Sequence, residues 1–298
     1  MISRVAVVSL NWNGLEHLKY FLPSVSKIDY DNYFTIIVDN GSVDSSVSYI
    51  NTNFPEVRVI QLEKNLGYSK GFNKGIESAI ALGAEYILLT NNDVKFDRNI
   101  IKEGIRVALS DKNIGYVGGK VFDIEQKKIL QYAGGRFRNC FDSPNRGKGE
   151  LDIGQYDLVE DFDYMDDVTA LVNVEMIKAI GPYDQDFFYD FEETEWNHRM
   201  IKSGWRIVYC PNMKVWHRLH GSTDGSKFSP IPEFHHIRGR FLFYFKTQKT
   251  SVFLRFAINY ILFGIFIRLL ILIKNNNTRL IYFNFRGMLS AFRRVISA

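Results

Sequence analysis

The stretch Tyr86-Ile87-Leu88-Leu89-Thr90-Asn91-Asn92-Asp93-Val94 joins a short apolar run to three polar side chains. An apolar run of this length, bounded by turn residues, is typical of a strand that is buried on both faces. In an open α/β sheet, ligands bind beyond the carboxyl ends of such strands. We therefore predict that Asn91, Asn92 and Asp93 hold a metal ion and the phosphates of a nucleotide. A plain turn is the alternative, because Asn and Asp favour turns.

Three earlier segments repeat this pattern of an apolar strand, a polar tip and a helix. The strands are predicted at residues 4–10, 34–38 and 57–62, and their tips are Asn11-Trp12-Asn13-Gly14, Asp39-Asn40-Gly41-Ser42 and Lys64-Asn65-Leu66-Gly67. Four alternations of strand and helix predict a parallel sheet covered by helices. The carboxyl ends of parallel strands meet at one edge, so the gathered polar tips favour a binding crevice over scattered turns.

Composition and absent motifs limit the class of protein. The chain has 298 residues, which suffices for one large domain or two smaller ones. Cys140 and Cys210 form no CxxC or Cys/His pattern, which suits a reducing compartment, and the first strand begins too early for a secretory signal. No GxGxxG follows the first strand and no GxxxxGK(S/T) occurs, which argues against a dinucleotide dehydrogenase and a P-loop kinase. A divalent metal held by a carboxylate is then the candidate for neutralising the phosphates.

A second group of acidic residues opens a helix predicted after residue 191. Its neighbourhood contains Asp190, Glu192, Glu193 and Glu195. Like charges so close repel, which raises at least one pKa, as a general base requires. A structural alternative exists, because the helix dipole favours acids in a first turn. His217 ends a later strand, where a lone histidine is either structural or a metal ligand.

Seven motifs together resemble the inverting glycosyltransferases of family 2, which have the GT-A fold. They are residues 8–14 (VSLNWNG), 38–44 (VDNGSVD), 65–73 (NLGYSKGFN), 89–93 (LTNND), 181–193 (GPYDQDFFYDFEE), 202–205 (KSGW) and 216–217 (WH). They occur in the family's order and cover about residues 5–220. Within the family, the chain is most similar to bacterial rhamnosyltransferases of surface polysaccharide synthesis. The resemblance implies an α/β fold with a mostly parallel central sheet flanked by helices.

The resemblance also implies roles for individual residues. Asp39 is expected to bind the pyrimidine base, and the donor pocket is expected to include Asn11, Asn13, Asn65, Gly67, Asn73, Asn91 and Asn92. Asp93 and His217 are the expected metal ligands, and Asp167, Thr169 and Trp196 are expected on the acceptor side. Glu193 is the expected catalytic base, with Glu192 as the alternative. Two positions depart from the family pattern, since Asn91 replaces an acid of the metal motif and Glu193 replaces the commoner Asp.

The reaction implied is an in-line transfer of a sugar from a nucleotide diphosphate, assisted by Mg²⁺ or Mn²⁺. The donor expected by resemblance is dTDP-rhamnose, with UDP-hexoses as the alternative, and the acceptor is a hydroxyl of a lipid-linked saccharide. A nucleotide-sugar-binding protein without turnover is a competing hypothesis from another class. A nucleotidyltransferase, which releases pyrophosphate, is the competing enzyme.

The end of the chain differs from the rest in charge. Eleven of the 37 basic residues and none of the 33 acidic residues lie from Phe234 onward, so residues 1–233 carry a net charge of −7. Residues 256–273 are apolar apart from Asn259 and Arg268, and residues 280–296 alternate apolar and basic side chains. This pattern predicts helices in a membrane interface, facing anionic headgroups.

We accordingly divide the chain into a catalytic domain, residues 1–233, and a helical region, residues 234–298. A helical homodimer interface is the alternative for the second region. The acidic cluster and the low density of Lys and Arg argue against a nucleic-acid partner. The expected location is peripheral, on the cytoplasmic face of a bacterial plasma membrane.

Overall fold

The computed structural model describes residues 2–137, 145–218, 230–275, 277–278 and 280–297. Cys140 and Arg279 lie outside these ranges, as does part of the loop that follows residue 134. The strands are β1 (Val5–Asn11), β2 (Tyr33–Asp39), β3 (Arg58–Gln61), β4 (Tyr86–Asn91), β5 (Val94–Phe96), β6 (Ile114–Asp123), β7 (Leu130–Tyr132), β8 (Glu160–Phe162), β9 (Thr169–Asn173) and β10 (Arg206–His217). The helices are α1 (Leu15–Val25), α2 (Ser46–Asn53), α3 (Tyr68–Ala81), α4 (Ile100–Ala108), α5 (Val174–Ile180), α6 (Glu192–Lys202), α7 (Pro230–Thr247), α8 (Thr250–Asn259), α9 (Ile265–Lys274) and α10 (Leu280–Ile296).

The first four strands form the parallel half of the sheet, in the order β3-β2-β1-β4. The apolar residues of β1 and β4 are buried, because helices cover both faces of a parallel sheet. The register pairs Asn11 with Asp39 and Leu10 with Asn91. The polar tips therefore lie side by side at the carboxyl edge, as the sequence predicts.

The second half of the sheet is mixed. It continues in the order β9-β6-β10-β5, and β9 runs antiparallel to both β4 and β6. The chain leaves β6 at the carboxyl edge and re-enters β9 there, since Thr169 pairs with Thr90 near the end of β4. The described residues between β6 and β9 contain no crossover helix that would carry the chain back to the other edge, and antiparallel pairing follows. The parallel sheet predicted from the sequence thus holds for its first half, and antiparallel strands are added in the second.

Strand β10 joins two segments that the sequence presents as separate strands. It pairs parallel to β6 on both sides of an irregularity between Cys210 and Lys214, a stretch that contains Pro211. Because proline cannot donate to a ladder, this is a position where pairing is expected to break. The strand ends at His217, which lies opposite Val94 of β5. Asp93 and His217 are therefore brought to the same edge of the sheet.

Helices α7 to α10 form a second apolar core next to the sheet domain. Phe241, Leu242 and Phe243 of α7 are fully or almost fully buried in it. Phe187 and Phe191, which precede α6, belong to the same core. Helix α7 begins at Pro230, so the predicted boundary between residues 233 and 234 falls within its first turn.

The helices α8 and α9 are continuous through a π-helical turn at Tyr260–Gly264. Together they form one helix, Thr250–Lys274, which is long and apolar enough to cross a membrane by length and composition, with only 11% of its most apolar window buried. One polar network crosses it. Glu233 of α7 accepts hydrogen bonds from Arg268 of α9 and from Asn284 of α10, the latter at 2.9 Å. The second half of this helix is thereby linked to α7 through Glu233, which also binds α10.

Candidate active site

The tips of β1 and β2 are joined by a network around Asp39, which is fully buried. The Asn11 amide donates to Asp39 Oδ2 at 3.0 Å and accepts from Asn92 Nδ2 at 2.7 Å. The backbone N–H of Ser42 donates to Asp39 Oδ1 at 3.0 Å. Asp39, Asn11 and Asn92 are thus brought together as predicted. Their side chains hold one another fixed at the carboxyl ends of the strands.

Asn13 adopts a left-handed conformation, with a φ of 50°. Its side-chain oxygen accepts from the Val43 N–H at 2.8 Å, while its own N–H donates to Ser42 Oγ at 2.8 Å. These contacts join the turn after β1 to the turn after β2. Asn13 itself is exposed at the rim, where Trp12 is also half-exposed.

The loop of residues 65–67, which we call the donor loop, depends on a residue that sequence analysis did not single out. Asn40 Nδ2 donates to Asn65 Oδ1 at 3.0 Å and to the Gly67 carbonyl at 3.1 Å, and Asn40 Oδ1 accepts from the Leu66 N–H at 2.9 Å. Gly67 has a φ of +86°, and a Cβ there would lie 2.6 Å from the Phe188 carbonyl oxygen. Glycine is therefore required by both conformation and space.

Two predicted site residues lie in the core instead. Asn73 is almost fully buried, and both ends of its amide bond the backbone of Tyr183, at 2.8 Å and 3.2 Å. Trp196 is also buried, and its indole N–H donates to the Gly181 carbonyl at 3.0 Å. Both side chains secure the turn at residues 181–183. The prediction that they line the donor and acceptor pockets is corrected, because neither has polar atoms or surface left for a ligand.

Asp93 and His217 form the predicted metal pair. Asp93 is buried, and its Oδ1 lies 3.2 Å from His217 Nε2. The other ring nitrogen, Nδ1, lies 2.8 Å from Gln131 Oε1, so Gln131 fixes the orientation of the imidazole. Burial opposes protonation of His217, but the hydrogen bond and negative charge of Asp93 outweigh it and raise the pKa.

The ligand atoms that Asp93 and His217 offer fit a divalent ion only in part. A carboxylate oxygen is an ordinary ligand of Mn²⁺ and Mg²⁺, whereas an imidazole nitrogen is more usual for softer transition metals. Within the described ranges, no three His, Cys, Asp or Glu side chains gather around one point to hold a metal. The pair therefore fits an ion that takes most of its ligands from water and from the phosphates of a substrate.

Asn91 lies between the metal pair and the buried carboxylate of Asp167. It is half-buried, and its Oδ1 accepts from the Tyr68 hydroxyl at 3.4 Å. Tyr68 also hydrogen-bonds to Asp167, whose Oδ2 accepts from the Tyr183 hydroxyl at 2.9 Å. Thr169 follows on β9 as a buried residue, and its hydroxyl has no hydrogen-bond partner among the described residues.

Four acids form the carboxylate cluster: Asp166, Asp167, Glu192 and Glu193. Glu193 is partly exposed, and its Oε1 accepts from the Tyr164 hydroxyl at 3.0 Å. Glu192 is buried, and its Oε2 has no partner among the described residues. Burial, followed by repulsion from neighbouring carboxylates, raises the pKa of both glutamates well above the usual range. Burial and the charge of Asp166 raise the pKa of Asp167 to about 7.

Glu195, in the same helical turn, has a different task. Both of its oxygens bind Arg199, at 2.9 Å and 2.7 Å, and Arg199 also donates to the Pro182 carbonyl at 2.9 Å. This acid is a structural member of α6. The acids at the start of α6 thus separate into a catalytic candidate pair and a structural ion pair.

The family assignment rests on this arrangement together with a match to a known family model. Residues 6–153 match the model described as glycosyl transferase family 2. Residues 6–153 form a glycosyl transferase family 2 domain. The matched residues include the parallel half of the sheet and the polar strand tips, and the carboxylate cluster lies beyond them.

Two relatives cover most of the chain. The glycosyltransferase is 22% identical over 262 residues to the N-acetylglucosaminyl-diphospho-decaprenol L-rhamnosyltransferase of Mycobacterium tuberculosis, covering 79% of this chain and 82% of the relative. It is 23% identical over 287 residues to the dTDP-rhamnosyl transferase RfbF of Shigella flexneri, covering 93% and 91%. The predicted similarity to rhamnosyltransferases is confirmed.

A solved structure supports the GT-A fold. GalNAc-T7, crystallised with UDP, GalNAc and Mn²⁺, superposes with a TM-score of 0.66 at 15% identity. The match covers 82% of this chain but 48% of GalNAc-T7, so the glycosyltransferase spans about half the length of that protein. At this identity the likeness establishes the fold.

Three residues that help to shape the site were missed from the sequence: Asn40, Gln131 and Tyr164. Each acts by holding another side chain or loop, at a sequence distance of 25 or more residues. Asn40 lies within the motif at residues 38–44, and this motif was the indication in the sequence that Asn40 matters. Gln131 lies in the three-residue strand β7 and Tyr164 follows the three-residue strand β8, and strands this short show no periodicity that would mark them.

Proposed function

We propose that this chain is an inverting, metal-dependent glycosyltransferase that moves a sugar from a nucleotide diphosphate to a hydroxyl of a lipid-linked saccharide. The observation that carries the proposal is the position of Asp166. Its charge raises the pKa of both His217 and Glu193, which supports a single site containing the metal pair and the candidate base. A donor with its diphosphate at the metal pair then has its sugar near the base.

In the proposed reaction, Glu193 is the general base. Its partly exposed carboxylate, oriented by Tyr164, takes the proton from the acceptor hydroxyl as that oxygen attacks the anomeric carbon. The bond from the anomeric carbon to the diphosphate breaks on the opposite face, and the sugar is inverted. Glu192 remains the alternative base, but it is buried, which argues for Glu193.

The remaining residues bind and orient the donor. Asp39, fixed by Asn11, is proposed to bind the nucleotide base, and the donor loop is proposed to close on the nucleotide-sugar. Asp93 and His217 would hold Mg²⁺ or Mn²⁺, which supplies charge neutralisation for the leaving diphosphate. Mn²⁺ together with UDP in GalNAc-T7 supports this assignment.

The substrates are proposed from the relatives. The name of the Shigella flexneri protein supports dTDP-rhamnose as donor, and the Mycobacterium tuberculosis name supports an acceptor carried on a polyprenyl diphosphate. We propose UDP-hexoses as the alternative donors. A role in the synthesis of a cell-surface polysaccharide such as O-antigen follows from these substrates.

We also propose peripheral attachment to the cytoplasmic face of the plasma membrane. Several large apolar side chains of α8, the π-helical turn and α9 point outward: Leu254, Ile258, Leu262, Phe263, Phe266, Ile267 and Leu270. Arg268, in the same helix, is tied to Glu233 of α7. This inward ion pair favours a helix lying in the interface over one that spans the bilayer. A homodimer interface is the alternative use of the same surface.

The deciding experiment compares Glu193→Gln with Glu192→Gln. Release of nucleoside diphosphate is measured with dTDP-rhamnose and with UDP-hexoses, in Mn²⁺ and with a chelator. Loss of general-base assistance is expected to lower turnover of Glu193→Gln by about 10²–10⁴-fold while dTDP binding survives. Near-normal turnover of Glu193→Gln would contradict the base assignment. Release of pyrophosphate instead would indicate a nucleotidyltransferase.

A further inference from the structure

The turn of residues 188–191, which we call the base turn, holds two residues in an unfavourable conformation. Asp190 and Phe191 have φ angles of 69° and 72°. A residue with a side chain is strained in this region, so such a turn persists only where its surroundings impose it. Glu192 and Glu193 follow directly. The conformation of the base turn therefore sets the direction in which α6 presents both carboxylates.

Helix α7 imposes this conformation from outside the catalytic sheet. His236 Nδ1 lies 2.6 Å from Asp190 Oδ2. Three residues further along, the backbone of α7 approaches the turn closely, since a Cβ at Gly239 would lie 2.8 Å from the Asp190 carbonyl oxygen and 3.1 Å from Phe191 Cβ. One side-chain hydrogen bond and one close backbone contact thus act on the same two strained residues.

The same helix also reaches the donor loop through the first residue of the base turn. The ring of His235 stacks on Phe188, with centroids 4.7 Å apart and planes inclined by 16°. The Phe188 carbonyl accepts from the Tyr68 N–H at 2.7 Å, and its ring lies against Gly67. Helix α7 therefore contacts one short segment that touches the donor loop at one end and the candidate base at the other.

We infer that His236 is a positioning residue for catalysis, and that α7 holds the base turn in the conformation that aims Glu193 at the acceptor. His236 acts through Asp190. The inference rests on the proposed function, because it assigns to α7 the task of orienting the proposed base. A purely structural role is the competing explanation. It predicts loss of folding stability without a selective loss of turnover.

A substitution at Gly239 distinguishes the positioning role from the purely structural role. Under a purely structural role, the added Cβ at Gly239 lowers folding stability but leaves the turnover of the folded enzyme nearly unchanged. The positioning role predicts that the added Cβ displaces the base turn. We expect Gly239→Ala and His236→Ala to lower kcat by about 10- to 100-fold, the scale of a lost hydrogen bond to a charged group. The dissociation constant for dTDP or UDP is expected to stay within about twofold.

The experiment uses the full chain with anionic liposomes and measures kcat, nucleotide affinity and urea unfolding for each variant. His236→Asn keeps a donor near Asp190 and is expected to recover most of the turnover. Ile231→Ala, an exposed site in the same helix, is the matched control and is expected to behave as wild type. Unchanged kcat in both His236→Ala and Gly239→Ala, or a parallel loss of nucleotide affinity, would overturn the inference.

Glu193→Gln in the same assay separates this inference from the proposed function. A wild-type chain without turnover, or a fully active Glu193→Gln, contradicts the proposed function itself. An active wild type with an inactive Glu193→Gln and a fully active His236→Ala contradicts only the positioning role.

Discussion

Replacing Asp167 by asparagine tests the electrostatics of the site. Asp167 is buried, accepts a hydrogen bond from Tyr183 at 2.9 Å, and has a pKa raised from 3.8 to about 7, by burial first and then by Asp166. Asparagine has the same shape and keeps an acceptor for the tyrosine. The substitution therefore removes the ionised form with little change in packing.

The sign of the pH effect follows from proton binding. Between pH 4 and pH 7, the folded state holds a proton on Asp167 that the unfolded chain has released, so wild-type stability falls as pH rises through this window. About three pH units at about 1.4 kcal/mol each make ionised Asp167 cost about 4 kcal/mol. Asp167→Asn lacks this cost at every pH.

Urea unfolding of both proteins, followed by tryptophan fluorescence without metal, measures the effect. We expect the difference in free energy of unfolding, variant minus wild type, to grow by about 3 kcal/mol between pH 5 and pH 8. Asp31→Asn, an exposed site, is the control, and its difference should stay small at both pH values. An Asp167→Asn difference that is equal at pH 5 and pH 8 would refute the reasoning. Because Asp167 also raises the pKa of Glu193, the acidic limb of the rate profile should move to lower pH in the variant.

Three further substitutions test other parts of the site. Asn40→Ala removes three hydrogen bonds to the donor loop and should weaken dTDP or UDP binding by about tenfold or more, measured by calorimetric titration. Gly67→Ala places a Cβ against the Phe188 carbonyl at a positive φ and should lower both nucleotide affinity and melting temperature, whereas unchanged affinity would argue against a role for this loop in binding. Glu233→Gln leaves Arg268 without its carboxylate partner and should cost up to about 3 kcal/mol of unfolding free energy, read from urea unfolding.

The parallel half of the sheet could be predicted because a strand that is buried on both faces is a continuous apolar run, and such runs are visible in the sequence. Residues 86–90 are buried throughout, so the strand contains no exposed face to interrupt the apolar run. The polar tips mark where each strand leaves the core. The antiparallel insertion of β9 has no comparable sequence pattern, because its direction depends on where the chain returns after the segment that follows β6.

The roles of individual polar residues were harder to predict than their presence. Asn73 belongs to a recognisable motif, yet its partner, the backbone of Tyr183, lies 110 residues away. Glu193 and Glu195 have the same chemistry two residues apart, and only their surroundings divide them into a candidate base and a partner of Arg199. The spacing of four residues between Glu195 and Arg199 was a usable signal for that ion pair.

The membrane proposal calls for substitutions on the outer helix surface, because the C-terminal helices are part of the catalytic fold. Removing residues 251–298 would delete Arg268 and leave Glu233 buried without its partner, so such a truncation tests folding as well as membrane binding.

Phe263→Asp combined with Phe266→Asp changes only outward side chains, which are 62% and 59% exposed. Burying a phenylalanine in an apolar phase contributes about 1.5–3 kcal/mol, so losing two should weaken binding to anionic liposomes about 100-fold or more. In a flotation assay, the wild type and an Ile153→Asp control should float with the liposomes, and the double variant should not. Ile153 is 78% exposed and lies far from this helix in the sequence. If flotation is unchanged while sedimentation shows a dimer becoming a monomer, this surface is a subunit interface and the membrane assignment is wrong.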